Sequence, residues 1–225
     1  MKKILLPFLV LIAINSTAFS QHSWSVGFNT LMPMGDLRND SPALFGAGFN
    51  LEMAFQIKNS PFYVGATTSF NMYGREKQAL MLPPEMGAHD LTRKNYVANV
   101  LGLVRYKPQI KSSLRPFAEF SAGYSYAFTN AEIHVDRNGS CFSETEEILM
   151  DNTFTYGLGG GIEYTMNDQA AISLSFRSLR GGAVNYLTPS SMEYNQATDT
   201  YITDVRSSQL DYMTVSLSVS MLFGH

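Results

Sequence analysis

Cysteine is nearly absent: Cys141 stands alone among 225 residues. A disulfide framework and a cysteine-rich zinc site are thereby excluded. Charge is thin as well. Charged residues make up 16% of the chain, against about 25% in soluble domains. There is no excess of basic residues. The net charge is -3 and the isoelectric point about 5.8, which argues against nucleic-acid binding. Beyond the first twenty residues no apolar run approaches the roughly 18 that a membrane-spanning helix needs, and the mean hydropathy is -0.06. What the chain has in quantity is aromatic: 12 Tyr and 15 Phe within a hydrophobic share of 45%. That share is too high for a disordered chain.

The first twenty residues read as an export signal. Lys2 and Lys3 give a positive start, residues 4–14 an apolar run broken by Pro7, and Ala18-Phe19-Ser20 the small residues of a cleavage site. The expected cut follows Ser20, which divides the chain into a signal peptide, 1–20, and one mature domain, 21–225. No Cys follows the cut, so a lipoprotein anchor is excluded.

From Ser23 to Phe223 the hydrophobic period is two. In residues 46–57, Ala47, Phe49, Leu51, Met53, Phe55 and Ile57 alternate with small or polar side chains. In the last strand Met213, Val215, Leu217, Val219, Met221 and Phe223 alternate with Thr214, Ser216, Ser218 and Ser220. Eight such segments are expected: 23–32, 46–57, 62–73, 95–107, 115–128, 153–165, 170–178 and 209–223. In 95–107 the pattern is mixed, because Leu101 and Leu103 share a face with Asn99 and Arg105; Tyr96, Ala98, Val100, Val104 and Tyr106 are assigned to the apolar face. The polar faces are rich in Gly, Ser, Ala and Thr, which suits a narrow lumen better than a solvated surface. Outward aromatics such as Tyr96, Tyr106, Phe154 and Tyr164 fall near segment ends, where interfacial girdles belong. The connections measure 13, 4, 21, 7, 24, 4 and 30 residues in order. Strict alternation of long and short is what an up-and-down transmembrane barrel produces, with short periplasmic turns, long extracellular loops and both termini in the periplasm. The expected fold is an all-β, eight-stranded antiparallel up-and-down transmembrane β-barrel in the outer membrane.

With its signal peptide, eight alternating strands and an apolar last strand reaching Phe223, the chain resembles the small outer-membrane β-barrel proteins, the OmpA-transmembrane-domain and PorT-like class. The resemblance covers the whole mature chain and is architectural. It departs where Gly224 and His225 follow Phe223, since family members often end in an aromatic residue. It implies outer-membrane lipids and lipopolysaccharide as surroundings, the barrel-assembly machinery as a partner during insertion, and a protein partner of unknown identity.

Catalytic chemistry is not apparent. His22 follows the signal cut, His89 and His134 fall in expected loops, and His225 is last; none is placed to face a partner on a strand. Gly157-Leu158-Gly159-Gly160-Gly161 lies within an alternating strand with no helix after it, so it fails as a dinucleotide fingerprint. The acidic residues Asp136, Glu144, Glu146, Glu147 and Asp151 lack calcium-loop spacing and read as a solvated loop. No catalytic residue, cofactor or metal site is assigned. The expected function is a non-enzymatic structural or interaction barrel; the alternatives are a small porin-like pore and a lipid-modifying enzyme. Six charges are placed on inward faces: Glu52, Arg105, Lys107, Glu119, Glu163 and Arg177. Arg105 and Glu119 lie about equally far from the centre of the short turn joining their strands, so they are expected to meet across it and, with the other four, to plug the lumen.

Overall fold

Period-two alternation becomes a closed wall. The structure, a computed structural model, describes residues 19–40, 45–80, 88–137, 140–195 and 200–223. Of the expected signal peptide only Phe19 and Ser20 lie among them. The strands are β1 (Phe19–Pro33), β2 (Gly46–Ile57), β3 (Phe62–Leu80), β4 (Ala88–Tyr106), β5 (Leu114–Arg137), β6 (Ser140–Asn167), β7 (Ala170–Gly181), β8 (Ala183–Asn195), β9 (Thr200–Gln209) and β10 (Tyr212–Phe223), with one short helix, α1 (Gly35–Asp40). Eight of the strands pair in the order β1-β10-β7-β6-β5-β4-β3-β2 and close into a barrel, while β8 and β9 form a separate hairpin sheet. Closure runs from His22 opposite Phe223 to Pro33 opposite Tyr212, all antiparallel. Apart from the closing pair β1–β10, every barrel neighbour is therefore the next barrel strand in the chain, which is the up-and-down topology.

The outer face is apolar and open. Phe28 is 81% exposed and Leu158 68%, values that water would penalise and lipid would not. Outward-facing Thr68 is satisfied by the wall: its hydroxyl donates to the Asn99 carbonyl at 2.8 Å. Aromatics ring both ends. Phe49, Phe70, Tyr96 and Phe128 stack in a chain across β2 to β5 at one end, and Phe62 packs on Tyr106 at the other. On β4 the structure places Val97, Asn99, Leu101, Leu103 and Arg105 inside. The glycine run of β6 allows close approach: a Cβ on Gly157 would lie 2.0 Å from the Ser178 carbonyl oxygen, and one on Gly161 2.3 Å from that of Leu174.

Several expectations need correction. The connections expected at 74–94 and 129–152 are mostly strand. β3 and β4 keep their ladder to Leu80 opposite His89, and β5 and β6 keep theirs to Arg137 opposite Ser140. His89, His134 and Cys141 therefore sit on strands, not in loops. The backbone ladder does not need apolar side chains, so the arms continue where the hydrophobic alternation stops. The connection expected at 179–208 holds the β8–β9 hairpin, and the first long connection holds α1. His22 also has a partner: its ring stacks on Phe223, 5.1 Å between centroids.

Leu217 is 58% exposed on the outer face and Ser218 5% exposed within. Leu217→Arg should lower stability by about 2–4 kcal/mol if it lies near the midplane, and Leu217→Ala by clearly less, in urea-driven folding titrations with lipid vesicles. Equal losses would show that the facing is wrong.

Candidate functional site

The lumen is the candidate site, and it is built in three layers. The first lies toward the short turns. Glu52 comes from β2, Arg105 from β4, Glu119 from β5 and Arg177 from β7, each on the inward phase of its strand. Arg105 and Glu119 are direct cross-strand partners. Arg105 Nη2 lies 2.6 Å from Glu119 Oε2 and 2.7 Å from Glu52 Oε1. Arg177 Nη2 reaches Glu52 Oε2 and its Nε reaches Glu119 Oε1, both at 2.5 Å. Each carboxylate thus gives one oxygen to each guanidinium, and the four side chains form a closed ring of zero net charge. The Arg105 guanidinium also lies over the Phe117 ring, 4.3 Å from its centroid. Beside the ring, Lys107 Nζ donates to both Glu163 oxygens at 2.9 and 2.8 Å and sits 4.6 Å from the Tyr63 ring centroid. All six inward charges assigned from the sequence are buried, grouped four and two. Isolated charges here would cost several kcal/mol each; pairing is what makes their burial tolerable.

The second layer is neutral and polar. Asn99 Nδ2 donates to Ser69 Oγ at 2.8 Å and to the Tyr212 hydroxyl at 3.2 Å, which also meets Ser125 Oγ at 3.1 Å. The Asn29, Asn50 and Asn71 Oδ1 atoms are buried without a hydrogen-bond partner in the protein. This is the part of the lumen chemically suited to water.

The third layer, at the long-connection end, is apolar and was not foreseen. Leu31, Tyr73, Val97, Leu101, Ala127, Leu179 and Tyr212 from the barrel wall meet Leu37 of α1, Val184 and Tyr186 of β8, and Leu210 in one buried cluster. Asp211 ties this plug to the rim: its carbonyl accepts from Met34 N at 2.8 Å and its carboxylate from Gly181 N at 3.3 Å. Gly35, with a φ of 55°, makes the turn alongside it. Asp151 Oδ2 holds β8 by accepting from both the backbone N and the Nδ2 of Asn185 at 2.9 Å. Leu101 is a visible signal, an apolar residue on the face that carries Asn99 and Arg105. Its partners in α1 and β8 carry no pattern that links them to it.

At the opposite end a cavity of about 100 Å³ is lined by Lys107, Glu163, Tyr63, Arg115 and Asp168, among others. It is smaller than the roughly 300 Å³ at which small-molecule sites begin. Among the described residues no group of His, Cys, Asp and Glu is arranged to hold a metal. Asp151 serves β8; the side chains of Asp136, Glu144, Glu146 and Glu147 lie outside the described residues.

A family model described as "Outer membrane protein beta-barrel domain" matches residues 5–223. Among solved structures, a major outer membrane protein from Thermus thermophilus is 13% identical with a TM-score of 0.49, over 89% of this chain and 99% of that one. OprG from Pseudomonas aeruginosa is 11% identical with a TM-score of 0.46, over 92% and 98%. Ail, the attachment invasion locus protein of Yersinia pestis, is 15% identical with a TM-score of 0.42, over 91% and 99%. No curated protein sequence matches.

Glu119→Ala would leave two guanidiniums facing Glu52 alone. Stability should fall by about 3–5 kcal/mol in reversible urea unfolding, whereas Lys111→Ala, on the exposed short turn, should leave it unchanged. A loss below about 1 kcal/mol would show that water replaces the carboxylate.

Proposed function

The chain belongs to the outer membrane protein β-barrel domain family, and from that premise we propose that it is a closed, non-enzymatic barrel that presents its long connections outside the cell. The observation that carries this reading is the double closure of the lumen, by the ionic ring at one level and by the apolar plug at another. The six buried charged groups are engaged with one another, and the cavity that Lys107 and Glu163 line holds only about 100 Å³. In this reading the short turns and both termini face the periplasm, a signal peptide cut after Ser20 directs export, and the barrel-assembly machinery inserts the mature chain. The surroundings are outer-membrane lipids and lipopolysaccharide, and the paired arms β3–β4 and β5–β6, with the β8–β9 hairpin, form the surface offered to a protein partner. A small pore is the second reading, favoured by the unpartnered Asn29, Asn50 and Asn71 oxygens, which suit a wet middle layer.

Two measurements test these statements. Planar-bilayer recordings of the wild-type protein should show no large, steady conductance; sustained current would replace the closed barrel with the pore. In a Cys141→Ser background, Ser207→Cys should react with an impermeant maleimide on intact cells and Lys111→Cys should not. The reverse pattern would invert the orientation.

A further inference from the structure

Outward positions of the barrel strands are mostly apolar, aromatic, small or hydroxylated, and Arg180 puts an exposed permanent charge among them. It is the last residue but one of β7 (Ala170–Gly181), at the long-connection end, directly opposite Tyr156 on β6. No described residue gives it an ion pair or hydrogen bond. A cation facing lipid is costly at the centre of a membrane and tolerable at its edge, where an anionic group can meet it. Below Arg180 the wall is hollowed. A groove of about 410 Å³ is lined by Phe120, Tyr156, Gly157, Leu158, Ser178 and Arg180. Phe120, Tyr156 and Leu158 are all exposed and supply apolar flanks. Ser178 adds a hydroxyl next to the guanidinium. Apolar flanks with one guanidinium and one hydroxyl at the rim match an acyl chain joined to a phosphate.

We propose that this groove binds the lipid A portion of lipopolysaccharide, one acyl chain lying against Phe120 and Leu158 and a phosphate on Arg180. The choice of lipid A over an anionic phospholipid rests on the orientation proposed above, which puts Arg180 in the outer leaflet. A guanidinium offers two parallel donors to a phosphate, a geometry an ammonium cannot reproduce.

The test is native mass spectrometry of the folded protein released from micelles loaded with purified lipid A. Wild type should retain lipid A, and Arg180→Ala should weaken retention about tenfold, the loss of one charge-assisted contact. Arg180→Lys should fall between them, and Arg115→Ala, at the opposite end, should match wild type. Each variant is first checked for folding by its shift on unboiled gels. Lipid A stripped of its phosphates should bind wild type no better than lipid A binds Arg180→Ala, an arm that needs no variant. Unchanged retention by Arg180→Ala, or equal binding of dephosphorylated lipid A, would overturn the site. Phosphatidylglycerol micelles binding as tightly as lipid A would overturn the commitment to lipid A. Orientation is read separately by the cysteine labelling: a barrel labelled the other way round would put Arg180 in the inner leaflet and overturn lipid A as the occupant, even where binding depends on Arg180.

Discussion

Two carboxylates and two guanidiniums meet in the lumen, and the wall is tied together through them. Glu52, Arg105, Glu119 and Arg177 come from four of the eight strands, so the ring spans the barrel from β2 to β7 and not merely between neighbours. Backbone ladders fix each strand to the next. The ring fixes strands that share no ladder. Its geometry leaves no carboxylate oxygen of Glu52 or Glu119 without a guanidinium, which is the condition under which a buried ionic cluster ceases to be a liability. Arg is the suitable cation here, since its planar fork serves two acids at once and a lysine would present a single point charge. Where one acid and one base suffice, at Glu163, the partner is Lys107.

The layers above the ring follow from the same geometric constraint. An eight-stranded barrel has room for side chains and little more, so what fills it must change along the axis as the surroundings change. Hydroxyls and amides occupy the middle, where Tyr212 joins the two chemistries: its ring lies in the apolar cluster and its hydroxyl meets Asn99 and Ser125. At the long-connection end there is chain to spare, and α1 and β8 fold back to bring Leu37, Val184 and Tyr186 onto Leu101 and Leu31. Closure there uses ordinary hydrophobic burial. Ion pairing at one level and apolar packing at another thus fill one barrel by two unlike means.

Much of this was legible in the residues. Alternation in 46–57 and 209–223 marks facing because lipid and lumen demand opposite side chains from successive positions. The meeting of Arg105 and Glu119 follows from their distances to a short turn. The Lys107–Glu163 pair does not, because β4 and β6 are not neighbours and nothing along the sequence measures a distance across a lumen. The extended arms of β3–β4 and β5–β6 are hidden for a different reason. In 74–80 the chain reads Gly-Arg-Glu-Lys-Gln-Ala-Leu, with no apolar face; the strand is held by its ladder to β4, which leaves no trace in hydropathy. The plug was hidden because its halves lie far apart in sequence. Leu101 and Leu103 disturb the polar face of β4, and that disturbance is a local sign of something apolar inside the barrel.

The ring also bears on which register the barrel adopts. Side chains alternate with a period of two, so a slip of one residue turns a whole strand inside out. For β10 such a slip would exchange Leu217 and Val219 for Ser216 and Ser218, a modest change, since serine faces lipid without a charge. For β4 or β7 it would put Arg105 or Arg177 against lipid, at a cost that rises from about 0–1 kcal/mol near the interface to about 2–4 kcal/mol at the midplane, and would leave Glu52 and Glu119 inside with one partner fewer. The penalty is paired: a charge enters the lipid and its counter-charge is stranded. Apolar contacts alone could not discriminate so sharply, because Leu101 and Leu103 on β4 would be as comfortable in lipid as in the lumen. On the strand where the hydrophobic pattern is least decisive, the charge on Arg105 decides the facing.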